Sequence, residues 1–162
     1  MELFKEYAFP ALLSFFSAFL ATKLAFSKYK SEKRWDEKKE KYALVIESVE
    51  YVVAFYNSQH LNTTSITKFN NNDEELNSSM RAIQKYAAIG KLYFSKEFAK
   101  VLYSFHTELE NKLYNLQERY ECANGNKEEE FRIELQYHAS VSNHALTTLH
   151  KLLKIADKDL IK

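Results

Sequence analysis

The chain has 162 residues, and 23 Lys and Arg against 22 Asp and Glu leave a formal net charge of +1, which excludes a broad electrostatic footprint for nucleic acid but not local basic patches. Two glycines and one proline are too few for a glycine-rich phosphate loop, and with apolar residues recurring three and four apart they argue for an all-α protein. The single cysteine, Cys122, fits a reducing compartment, since a secreted domain of this size would often carry disulfides.

The first element expected is a transmembrane helix, with residues 1–27 as its domain. The stretch from Tyr7 to Phe26, YAFPALLSFFSAFLATKLAF, carries one charge, Lys23, and as a helix it would reach about 30 Å, the thickness of a bilayer's hydrocarbon core. Pro10 suits a first turn, and Lys23 is close enough to the far end to snorkel. A cleaved signal peptide fits less well, because Ala25-Phe26-Ser27 is a poor cleavage pattern. Ala11, Ser14, Ala18, Ala21 and Ala25 form one small-residue stripe, the pattern that lets neighbouring spans pack in a homo-oligomer. Ser17, Thr22 and Lys23 are then candidates to line a pore.

Lys28, Lys30, Lys33 and Arg34 follow the span. Their excess over the N-terminal flank predicts a single-pass protein of a bacterial inner membrane, with its N-terminus outside and its C-terminal domain in the cytoplasm. The same four residues are candidates for contact with anionic lipid headgroups. Residues 28–41 are expected to form a basic helical neck, laced with i,i+4 ion pairs.

A bundle is expected over 42–162. Its first helix, continuous with the span, carries Tyr42, Ile46, Val49, Val53 and Tyr56. Asn57 to Asp73 is polar and without period, which predicts a long loop. Asn72 or Asp73 would cap a second helix carrying Leu76, Met80, Ile83, Ala87 and Ala88, with Gly90 at C′. Ser95 would cap a third, with Phe98, Val101, Leu102, Phe105, Leu109, Leu113 and Leu116 on its apolar face. Ala123-Asn124-Gly125-Asn126 is the clearest turn. The fourth helix opens on Glu128, Glu129 and Glu130 and carries Phe131, Leu135, Val141, Ala145, Leu149, Leu152 and Leu153. The predicted fold is therefore all-α: one N-terminal transmembrane helix continuous with the first helix of a cytoplasmic antiparallel four-helix bundle.

Little in this sequence carries chemistry. His138, His144 and His150 are spaced so that successive rings turn by about 240° around a helix, which does not make a metal site. No cofactor, metal or small-molecule substrate is expected. Arg132 and His138, in FRIELQYH, are the one candidate catalytic pair. Their Arg-x5-His spacing near the end of a helical bundle resembles the motif of the HEPN ribonuclease superfamily, in which an Arg and a His cleave RNA across a dimer. Ile133 stands where that family usually has a polar residue.

One N-terminal span, a basic helix containing RWDEKKEKY and a small bundle together resemble the membrane accessory proteins encoded beside type VI-B CRISPR nucleases. That resemblance implies a HEPN-like bundle, self-association and a membrane pore. The function expected from it is a homo-oligomerising antiviral effector or accessory that permeabilises or depolarises the inner membrane. Its partners would be the lipid bilayer, further copies of itself, and a cytoplasmic protein or RNA-guided nuclease. The alternatives are a membrane-tethered ribonuclease using Arg132 and His138, and a non-enzymatic membrane anchor or adaptor for a soluble partner.

Overall fold

A computed structural model describes the backbone of residues 2–64 and 72–161, and the side chains of residues 17–61 and 72–161. Four helices account for nearly all of it: α1 (Glu2–Thr64), α2 (Asp73–Ile89), α3 (Lys96–Ala123) and α4 (Lys127–Leu160), with a 3-10 turn at Gly90–Leu92. No strand occurs among the described residues. The chain divides into two compact units, residues 1–39 and 40–162.

Among the described residues no helix is long and apolar enough to cross a membrane. This corrects the transmembrane helix expected over 1–27, and with it the single-pass placement in a bacterial inner membrane. The reason lies in the composition of the described part. From Ser17 the chain reads SAFLATKLAFSKYKSEKR, so Thr22 and Lys23 interrupt the apolar run and a basic stretch begins at Lys28. The side chains from Tyr7 to Phe16, Ala11 and Ser14 among them, lie outside the described residues. Because α1 begins at Glu2, Pro10 stands inside the helix rather than in its first turn.

The unit from residue 40 onward is an antiparallel four-helix bundle. Its core takes Tyr42, Val45, Val49 and Val52 from α1, Ile83 and Tyr86 from α2, Phe98, Leu102, Phe105 and Leu109 from α3, and Val141, Ala145, Leu152 and Ile155 from α4. Each set recurs at the three- and four-residue steps that place side chains on one helical face. Direction is fixed by pairs across the core. Near one end the Tyr42 hydroxyl donates to Asp159 Oδ2 at 2.8 Å, and further along Tyr56 meets Tyr137 edge-on at 5.7 Å, so α1 and α4 run antiparallel. Phe105 lies against His144, and Lys112 Nζ donates to Ser140 Oγ at 2.6 Å, which makes α3 and α4 antiparallel as well.

The helix ends follow their capping residues. Asn72 accepts from the Glu74 N–H, Ser95 from the Phe98 N–H, and Asn126 from those of Glu128 and Glu129. Asn124 (φ 48) and Gly125 (φ 80) provide the left-handed turn between α3 and α4. Gly90 does something different from the C′ role expected of it. Its φ of −58 is ordinary right-handed backbone, and it opens the 3-10 turn. A side chain there would put a Cβ at 3.0 Å from the Phe94 ring, so close approach, not positive φ, selects glycine.

Two further expectations need correcting. Helix α1 continues through Asn57–Thr64, where a loop over 57–73 was expected; residues 65–71 lie outside the described part. Polar residues here remain compatible with a helix because one side still packs: Phe55 is buried, and Tyr56, Ser58 and His60 are half-buried. Leu113, Phe131 and Leu153, expected on the apolar faces, are 59%, 51% and 44% exposed. Helix α2 has 17 residues against 28 in α3 and 34 in α4, so it leaves the α3–α4 hairpin uncovered toward its turn.

Candidate functional site

The residues singled out from the sequence fall in two places, the described start of α1 and the first half of α4. In the first, residues 17–35 form a helix on which Phe19, Leu20, Leu24, Phe26, Tyr29 and Trp35 are between 44% and 69% exposed. At about 100° per residue, Phe19 and Phe26 share one side while Leu20, Leu24 and Trp35 share a second. Ala18, Ala21 and Ala25 occupy a third, with Tyr29 on its margin. The segment is thus apolar around its whole circumference at its start, a pattern that in a folded protein demands cover on several sides.

The polar groups of this segment are turned to local use. Thr22 Oγ1 donates back to the Ala18 carbonyl at 2.8 Å, inside the small-residue stripe. Ser17, Lys23 and Thr22 stand on the same described helix, and all three are exposed. Lys28 pairs with Glu32 at 3.8 Å, both exposed, a contact worth little in water. Lys30, Lys33 and Arg34 are likewise exposed. Lys39 Nζ lies 5.4 Å from the centre of the Trp35 ring, a cation–π contact at the end of this unit.

In α4 the geometry separates Arg132 from His138. Arg132 is exposed and forms an ion pair with Glu129, one turn back. His138 is 9% exposed, set among aromatic rings, with Tyr56 at 5.8 Å and Tyr137 at 5.9 Å. Six residues of helix put the two side chains about 240° apart and about 9 Å along the axis, so one copy of the chain does not bring them to a common point.

The surroundings of His138 explain its protonation. Burial pushes its pKa below the ordinary histidine value, Glu134 pulls it back up, and His60 lowers it further. Its Nε2 is 3.9 Å from Glu134 Oε1, and its Nδ1 has no hydrogen-bond partner among the described residues. His144 is shifted in the same direction, first by burial, with Glu108 opposing. Its Nε2 lies 2.9 Å from Glu108 Oε2 but makes no hydrogen bond of acceptable geometry, so the contact is chiefly electrostatic. Both imidazoles lie at the margin of the core, and each has one buried nitrogen without a hydrogen bond among the described residues.

Burial of His138 beside Tyr56 and Tyr137 could not be read from the Arg-x5-His spacing. The signal available was its position relative to Val141 and Ala145, three and seven residues on, which places it on the same buried face. Among the described residues no group of three or more His, Cys, Asp or Glu is arranged to hold a metal ion, and Cys122 is exposed next to the α3–α4 turn. No protein-family model, curated protein or solved structure matches the chain.

Proposed function

We propose that this protein is a non-enzymatic, self-associating helical module in which residues 17–35 of α1 form the contact element between copies. The observation that carries this reading is the exposure of Phe19, Leu20, Leu24, Phe26, Tyr29 and Trp35 along one helical segment. Apolar area of that density on a monomer's surface is the signature of an interface. A second copy is the partner that supplies matching chemistry without further assumption, because each helix offers a stripe of Ala18, Ala21 and Ala25 beside ridges of large side chains. Small residues on one helix admit large ones from another at close interaxial distance, and an isologous pair does this twice. The permeabilising role read from the sequence depended on a spanning helix and is not carried forward.

The test is the mass of the purified chain by light scattering, compared with that of Leu24→Glu/Phe26→Glu. The reading expects a discrete oligomer for the wild type and a monomer for the variant, with helix content unchanged by circular dichroism. A wild-type monomer across the accessible concentration range would refute it. So would an oligomer that ignores the two charges.

A further inference from the structure

Away from that segment, the junction of α2, the 3-10 turn and the start of α3 forms a cavity open to solvent, of about 530 Å³, within the range of about 300–1,000 Å³ in which small-molecule sites fall. The sequence makes this space with small residues. Ala88 on α2 and Ala99 on α3 leave room between helices that larger side chains would close, and Tyr103, 61% exposed, stands as an aromatic wall. Lys91, Lys96 and Lys100 complete the lining. Among the described residues no carboxylate lines the cavity and none of the three lysines is in an ion pair. Three exposed lysines therefore border a mostly apolar surface near the positive end of α3 with no carboxylate among the lining residues.

We propose that this cavity binds a small amphipathic carboxylate, an acyl chain lying on the alanine floor with its carboxylate among Lys91, Lys96 and Lys100. The apolar body and the anionic head each have a stated counterpart, and a neutral or cationic amphiphile satisfies only one of them.

The site belongs to the bundle unit and does not depend on self-association. The experiment is calorimetric titration of the full chain with decanoate, with 1-decanol and decylamine as matched probes. Wild-type protein should bind one decanoate per chain. Lys96→Glu/Lys100→Glu should weaken it at least tenfold by reversing the rim charge. Ala88→Phe, at an exposed helical position, should weaken it at least tenfold by filling the floor, with the melting temperature kept. Absence of binding at millimolar decanoate, equal binding of decanol, or binding unchanged in both variants would each overturn the proposal. Binding of an acidic amphipathic peptide in place of decanoate, lost in the same variants, would overturn it in favour of a protein partner.

Discussion

Helix α1 contains two kinds of sequence in one continuous element. In residues 40–64 most large apolar side chains keep to one side, with Tyr42, Val45, Val49, Val52 and Phe55 buried and only Leu44 and Leu61 exposed among the described residues. In residues 17–35 they point in all directions and stay exposed. Helical propensity serves both halves equally, since neither contains a glycine or proline. What differs is whether the pattern has a face. A faced pattern is covered by the chain's own helices, whereas the apolar side chains of residues 17–35 stay exposed.

The sharpest way to break that comparison is to delete one large side chain from each kind of surface. Phe98 is fully buried and packs its ring against Tyr42 at 4.5 Å and Phe94 at 4.7 Å. Phe98→Ala should cost about 3–5 kcal/mol in urea unfolding, the range for a large core aromatic replaced by a void. Leu24→Ala, at 69% exposure, should stay within about 0.5 kcal/mol at low protein concentration, while lowering the mass measured at high concentration. Equal destabilisation by the two changes would mean that residues 17–35 are covered within the monomer.

A smaller effect tests the node that ties the bundle's ends. The Tyr42 hydroxyl donates to Asp159 and accepts the Ser95 N–H at 3.1 Å, joining α1, the start of α3 and the end of α4. Its pKa is pushed up to about 12, first by burial and then, against the opposing Ser95 contacts, by the neighbouring Asp159 carboxylate. Tyr42→Phe keeps the ring and removes the hydroxyl's bonds to Asp159 and the Ser95 N–H, so about 1–2 kcal/mol should be lost. An unchanged urea midpoint would show that water replaces the hydroxyl at no cost.

Much of the bundle was legible because its signals are local. Asn72, Ser95 and Asn126 cap the helices they precede, and the left-handed turn falls on Asn124 and Gly125. The expected loop over 57–73 went wrong because polar composition was taken for irregular backbone, although Tyr56 and His60 still carried the helical step. Leu113 and Phe131 were placed in the core from periodicity alone, which cannot reveal that α2 is too short to reach them. The span expected over 1–27 has no counterpart among the described residues, where Thr22 and Lys23 interrupt the apolar run. Arg132 and His138 were legible as a spacing, but their separation depends on one facing solvent and the other facing Tyr56, which only packing decides.

The smallest predicted effect concerns His138, and its sign follows from where the proton is harder to place. Burial holds the folded-state pKa below the unfolded value of about 6.5. As pH falls through about 6.5 the unfolded chain gains protons that the folded chain still refuses. Stability is therefore fully present above the unfolded pKa and is lost as pH falls toward the folded one. Urea midpoints measured between pH 7.5 and pH 5 should decline for the wild type and decline less for His138→Phe, which keeps an aromatic ring on the Tyr56 and Tyr137 side. The slope that remains in the variant belongs in part to His144, shifted in the same direction against Glu108. Coincident curves for wild type and variant would mean that Glu134 offsets the burial of the charged ring in full, and would bring His138 back as a group able to carry a proton at neutral pH.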